Sequence, residues 1–511
     1  MTDTNLHRVS LLDYLACFML LLAPLSGGAQ SNSETADSDD EELTEIVLPG
    51  AIGGADDSDY YDDLDEDGLA DTPPPLSATD RLQNLFRLYR DAVGDRMFGE
   101  ADTLAKQIVE LTIEINGLDS GATARAITNL AIAQYGAMDF ESAELNFRSA
   151  IDITERISDR LNDDLINPLK GLAATQLALG KPREATENYQ RATHISHVNF
   201  GPHNLEQVET LESLAEAYLV AGDYDEAVDL QERIFTLQSR NISRNSEELL
   251  PALKNQARWL HRLGLFDRER FTWRRMINIL QESRGAEDLS LIPPLTGLGH
   301  SYLFISYDET NYGAQPSVAT GEVYLKRAMR IAENNPQAQW TDLAGTKISL
   351  ADFYILSDKP ARAERLYSEA WDIYGEDESR LAKRVEELQT LPIIRNIVLP
   401  KVLGVDTNVP PARRPDGFET GSLVFQYTVT SRGAPTRIEL IDAEPAGLED
   451  MERTVVRELR GILHRPRIVD GDATATDNVR LTHTFYYRPG DVPVEEDETA
   501  DGEAQAENSG R

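Results

Sequence analysis

Two clusters in this 511-residue chain have the residue types and spacing to hold a metal ion. Asp63, Asp65, Asp67 and Asp71 surround Gly68, and alternating carboxylates about a glycine-permitted turn are the oxygen set that calcium takes. Pro74 stands twelfth from Asp63, where a closing bidentate Glu would be needed, and the quartet lies in an acidic run. Solvated charge is the plainer reading, and no metal is assigned to it. His194 and His197 are three residues apart on one helical face, with His203 following; zinc accepts such imidazoles. His203 belongs to a Gly-Pro-His turn, so these three are expected to be structural. The single cysteine, Cys17, lies in the N-terminal apolar run, so the rest of the chain lacks thiolate ligands, disulfides and a Cys nucleophile. Phosphate-binding Gly-rich loops, nucleophile elbows and paired carboxylates are missing too. The expectation is a non-enzyme without a cofactor.

Charge and composition restrict what such groups could serve. The net charge is -39, and residues 34–71 carry sixteen carboxylates without a Lys or Arg. Residues 491–511 add eight carboxylates against one Arg. Both ends read as solvated, disordered acidic segments (30–79 and 491–511), and their field repels phosphate backbones, which excludes nucleic acid as the expected partner. The N-terminus has His7 and Arg8, an apolar run over 11–25 interrupted by Asp13, and then Ser26-Gly27-Gly28-Ala29. That pattern is a secretory signal over 1–29 with cleavage after Ala29, the alternative being an uncleaved membrane anchor. Tyr14-Leu15-Ala16-Cys17 lacks the Leu of a lipidation site. With 41% hydrophobic residues the remaining chain folds, and its length implies more than one domain.

A period of 42 residues organises the middle. "LAEAYLVAGDYDEAVDLQERI" places Leu214, Ala215, Tyr218, Gly222, Tyr224 and Ala227 where two packed helices need small residues at their crossing and aromatics as wedges. Steps of 42 from Ala227 reach Ala185, Ala143 and Ala101 in one direction and Glu269 in the other. The pattern resembles tetratricopeptide repeats, and "FGPHNLEQVETLESLAEAY" is similar to the long form found in kinesin light chains, whose Gly-Pro-His turn contains His203. A sixth copy is split by a polar insert over 306–317, between "LTGLGHSYL" and "ATGEVYLKRAMRIAE". A seventh, "LADFYILSDKPARAERLYSEAW", keeps Leu350, Ala351, Tyr354, Ala363, Tyr367 and Ala370 in register. The array spans 80–390.

In such arrays the first helix of each pair makes a concave wall where ligands lie. Projected onto that wall, the register selects Arg90, Arg125, Asn129, Lys170, Lys254, Asn255, Arg258 and His261, donors suited to an extended acidic peptide or its terminal carboxylate. Glu209, Glu212 and Glu216 interrupt the row, and plain solvated helix positions are the alternative.

Helical periodicity ends near Thr390, and a Pro- and Gly-rich linker over 391–410 follows. "GSLVFQYTVTSRG", "PTRIELIDA", "GLEDMERTVVRELRGIL" and "NVRLTHTFYYRP" then read as strand, strand, amphipathic helix, strand. With Gly421, Gly433, a helix opened by Leu448-Glu449, Pro466, Gly471 and the closing Thr484-Phe485-Tyr486-Tyr487, the order resembles the C-terminal domain of TonB energy transducers over 411–490. Ala412-Arg413-Arg414 replaces that family's Tyr-Pro pair, and His464 stands where an aromatic precedes Pro466. The resemblance implies a last strand whose edge accepts an extended peptide from an outer-membrane transporter, here through Val479, Leu481, His483, Phe485 and Tyr487.

The expected fold is an all-α helical-repeat solenoid, a tetratricopeptide superhelix, followed by a small α+β TonB C-terminal-like domain. The expected role is a protein–protein interaction adaptor in the periplasm of a Gram-negative bacterium, or anchored to its inner membrane facing that space. Its partners would be envelope proteins or peptides, such as a TonB-dependent transporter or a TonB-system component. The alternative is a general envelope scaffold whose last domain serves dimerisation or array capping.

Overall fold

A computed structural model describes residues 77–304, 317–402 and 417–492. The expected signal, most of the acidic N-terminal segment with Asp63, Asp65, Asp67 and Asp71, nearly all of the insert and the acidic tail lie outside these residues. The chain divides into two compact units, 1–221 and 222–511.

Unit one is built from helix pairs in tandem. Ser77 opens α1 (Ala78–Gly94) with a capping box, its hydroxyl accepting from Asp80 N–H at 3.1 Å while Asp80 accepts from Ser77 N–H at 3.2 Å. There follow α2 (Phe98–Asn116), α3 (Gly121–Gly136), α4 (Phe140–Ile157), α5 (Ile166–Ala178), α6 (Pro182–Phe200) and α7 (Gln207–Ala221). Each of these helices packs on the next along the chain. Unit two continues with α8 (Tyr224–Ser239), α9 (Leu250–Arg262), α10 (Phe266–Arg284), α11 (Ile292–Ser301), α12 (Val318–Asn334), α13 (Trp340–Leu356), α14 (Pro360–Gly375) and the short α15 (Leu381–Leu388). This is a helical-repeat array of tetratricopeptide type, cut between the two helices of its fourth repeat.

The period is visible in backbone and packing alike. Arg96, Met138, Gly180, Gly222 and Gly264, at successive steps of 42, all have positive φ, from 60° to 87°, in the turn within each repeat. Ala101, Ala143, Ala185 and Ala227 are wholly buried. A close approach recurs three repeats apart. A Cβ on Gly171 would stand 2.3 Å from the Phe147 ring, and one on Gly297 2.6 Å from the Trp273 ring, so an aromatic of one repeat occupies the space a side chain would need on the next.

The last domain belongs to unit two. β1 (Ile393–Arg395), β2 (Glu419–Val429), β3 (Pro435–Glu444), α16 (Glu449–Leu459), β4 (Leu463–His464), β5 (Arg467–Val469), β6 (Asp472–Thr474) and β7 (Thr476–Tyr487) follow in that order. The main sheet is antiparallel with order β3-β2-β7. Met451, Val455 and Leu459, one stripe of α16, close over Leu423, Phe425 and Phe485. The expected order of strand, strand, helix, strand is present, with four short strands added. The segment expected as a linker is not a free tether through residue 402: β1 pairs with β4, while Ile397 and Leu399 pack against the domain core.

Nor does the domain stand apart from the array. β5 and β6 form a hairpin over Asp470-Gly471, both at positive φ as a two-residue turn of the primed kind requires. Ile468, wholly buried, joins the core of the seventh repeat with Tyr367 and Ala370. Arg465 grips Asp352 on α13 with two hydrogen bonds of 2.8 and 2.6 Å and donates to Glu387 O at 2.7 Å, and Tyr367 O–H adds a bond of 2.6 Å to the same carboxylate. Burial works against the Arg465 charge, but the bonds and charge of Asp352 outweigh it and hold its pKa above the usual arginine value.

Candidate functional site

The predicted row of donors falls on first helices, as the register required. In unit one, Arg90 is exposed on α1 and has no ion-pair partner among the described residues. On α3, Arg125 reaches Asp164 at 3.7 Å, and the Asn129 backbone carbonyl accepts from Tyr89 O–H at 2.8 Å. Lys170 on α5 is buried, with its ammonium 3.5 Å from Glu209, one of the carboxylates expected to interrupt the row. An inter-repeat ion pair therefore occupies that cation.

The unit-two members share one helix. Lys254, Arg258 and His261 follow i, i+4, i+7 spacing on α9, a single face, and all three are exposed. Asn255 lies beside them and accepts from Arg258 at 3.1 Å. His261 Nδ1 is bound to Glu269 at 3.0 Å, and the other Glu269 oxygen accepts from Trp273 Nε1 at 3.0 Å. Glu269 replaces the periodic alanine yet is 3% exposed, so its neighbours supply the hydrogen bonds a buried carboxylate must have. His261 is a held residue, whereas Lys254 has no ion-pair partner among the described residues and is available to an anion.

Strand β7 presents a different geometry from the one expected. Val479, Leu481, His483, Phe485 and Tyr487 share its covered face: Phe485 is wholly buried, His483 is 7% exposed, and Leu481 and Tyr487 pack against the domain core. Leu481, Phe485 and Tyr487 belong to the core that α16 closes, while Val479 is half-buried. The open face carries Arg480, Thr482, Thr484 and Tyr486. Among the described residues, β7 is the end strand of its sheet and pairs with β2. His464 is buried and uncharged; burial pushes its pKa down, Nδ1 donates to Leu391 O at 3.1 Å and Nε2 accepts from Tyr427 O–H at 3.1 Å.

His194 and His197 are exposed on α6, as is His203 beyond its end. Among the described residues no three His, Cys, Asp or Glu side chains are grouped to hold a metal, and no helix is long and apolar enough to cross a membrane.

Sequence reasoning missed a pair of inter-repeat ion pairs. Glu144 accepts from Lys181 at 2.6 Å and from Arg148 at 2.8 Å. Glu322 binds Lys326 at 2.8 Å, Lys359 at 3.0 Å and Tyr354 O–H at 3.0 Å. Partial burial raises the Glu322 pKa, but the hydrogen bonds from Lys326, Lys359 and Tyr354 overcome it and bring it to about 2. Both partners across the repeat are the Lys of a Lys-Pro turn, 37 residues after the Glu. That recurrence was available in the sequence.

No family model matches the chain, and no curated protein matches it. Solved structures resemble it. A kinesin light chain with nearly identical TPR-like repeats from Podosopora anserina is 18% identical, covering 40% of this chain and 97% of its own at a TM-score of 0.36. A tetratricopeptide repeat protein from Parabacteroides merdae is 16% identical, covering 60% and 98%, at 0.34. A signal transduction ATPase with a tetratricopeptide repeat sensor from Pyrococcus horikoshii is 15% identical at 0.40, covering 60% of this chain and 44% of its own.

Proposed function

We propose that the chain is a non-catalytic protein-binding adaptor whose repeat array holds an extended acidic segment of a partner through first-helix cations. The observation that carries the reading is the α9 face, where Lys254 and Arg258 stand exposed at i, i+4 spacing and Asn255 orients the Arg258 guanidinium. A chain of net charge -39 that keeps such a face has a local attraction for carboxylates against a repulsive background. The edge of β7 offers a second mode, addition of a guest strand through main-chain hydrogen bonds.

The N-terminal signal-like segment supports placing the adaptor in a Gram-negative envelope. Its strand-strand-helix-strand domain, similar in order to TonB C-terminal domains, supports a place in TonB-linked transport. The alternative, a scaffold whose last domain caps the array, draws support from the Arg465–Asp352 grip, which covers the end of the seventh repeat. Titrating full-length protein with an acidic decapeptide tests the shared core of both readings. Lys254→Glu with Arg258→Glu is expected to weaken binding at least tenfold, with the parental affinity falling as salt is raised. Equal affinity in parent and variant would refute the assignment of this face.

A further inference from the structure

The first turn of α14 and the β2–β3 turn line one cavity of about 240 Å³, at the join of the seventh repeat and the last domain. Its buried lining is apolar, from Ile355 near the end of α13, Tyr367 on α14 and Pro466 after β4. Tyr367 gives its hydroxyl to Asp352, so its ring is what remains for the cavity. The exposed lining carries both signs of charge: Glu364 on α14, and Arg432 with Ser431 in the β2–β3 turn. Glu364 and Arg432 are not ion-paired to each other, although they line the same cavity. The walls that carry them are fixed by the fold. His464 N–H donates to Gly433 O at 2.9 Å, and a Cβ on Gly433 would stand 2.0 Å from His464 O, so the turn lies directly on β4. Pro360 opens α14, and Lys359 N–H before it donates to Tyr354 O at 2.8 Å. The Arg465–Asp352 grip holds the two walls to one another.

We propose that this cavity binds a free aliphatic α-amino acid as its zwitterion. The ammonium goes to Glu364, the carboxylate to Arg432 and the Ser431 hydroxyl, and the side chain to Ile355, Pro466 and the Tyr367 ring. The volume suits one amino acid and falls below the roughly 300 Å³ at which pockets for larger ligands begin. Charge points to the same class. A zwitterion has no net charge, so the long-range field of a chain of net charge -39 neither draws nor repels it, while the local Glu364–Arg432 dipole orients it. A simple anion would meet both that field and Glu364, and a simple cation would leave Arg432 unused. None of these residues belongs to the α9 face, so the site is independent of the acidic-peptide reading. A ligand seated here touches the seventh repeat and the last domain together, and its binding stabilises their join.

The test is calorimetric titration of full-length protein with L-leucine, N-acetyl-L-leucine, which lacks the ammonium, and L-leucinamide, which lacks the carboxylate. The parent is expected to bind L-leucine saturably, at one site, and each blocked compound at least tenfold more weakly. Glu364→Gln is expected to weaken L-leucine at least tenfold while leaving N-acetyl-L-leucine unchanged. Arg432→Gln is expected to weaken L-leucine by a similar factor while leaving L-leucinamide unchanged. Misfolding cannot produce this crossed pattern, because it weakens all three compounds alike. No saturable heat with L-leucine up to about 10 mM overturns the proposal. Equal binding of the three compounds by the parent, or a loss in either variant that is the same for all three, overturns it as well. Tighter binding of a leucyl dipeptide than of L-leucine overturns the free amino acid in favour of a peptide N-terminus.

Discussion

A left-handed backbone costs a side chain about 1 kcal/mol, and the turn inside each repeat demands one. Gly180, Gly222 and Gly264 meet the demand freely, while Met138 and Arg96 meet it with a Cβ. Met138→Gly is therefore expected to be neutral or to stabilise by up to about 1 kcal/mol, and Gly180→Val to destabilise by about 1–2 kcal/mol, as read by chemical denaturation. Titrating groups set the pH response. His300 and His464 are buried, which pushes both pKa values below the usual 6.5; their uncharged forms stabilise the fold above that value, and stability declines as pH falls and the unfolded chain takes up protons. Glu322, held at about 2 against an ordinary 4.5, contributes stability above pH 4.5 that is lost as pH falls toward 2. Thermal melts should be level above pH 6.5, slope gently downward below it and fall steeply below 4.5. Glu322→Gln should flatten the second step.

At the scale of elements, the decisive join is between the seventh repeat and the last domain. Arg465 and Asp352 are each 12% exposed, so removing one partner leaves a charge out of water without its counter-ion. Arg465→Ala or Asp352→Ala is expected to cost about 3–5 kcal/mol, with much of it recovered in an Asp352→Leu, Arg465→Met double variant. A double-mutant cycle on unfolding of the full chain measures this; additive single effects would mean that the pair carries no coupling. The sequence hid this join because its partners lie 113 residues apart and belong to different periodicities. β1, β4, β5 and β6, two or three residues long, are too short for any alternation to register. The alternation of β7 was legible, but which of its faces α16 would cover was not, and three of the five residues assigned to guest binding, Leu481, Phe485 and Tyr487, belong to the core.

Across the whole molecule, a repeat of 42 residues made the array legible, because the small crossing residues Ala101, Ala143, Ala185 and Ala227 recur at that step. The same register placed the cationic row on first helices. It could not say which cations are spent, since Lys170 meets Glu209 and His261 meets Glu269 through packing between helices rather than through the period. The surface that remains is small, and α9 holds its densest part. Hydrogen exchange on the full chain, with and without a saturating acidic decapeptide, tests the account most directly. The expected result is slowed exchange in α9, with α10 behind it unchanged. Saturating binding that leaves α9 at its unliganded rate, or protection confined to second helices such as α10 and α12, would contradict the claim that this wall holds the partner.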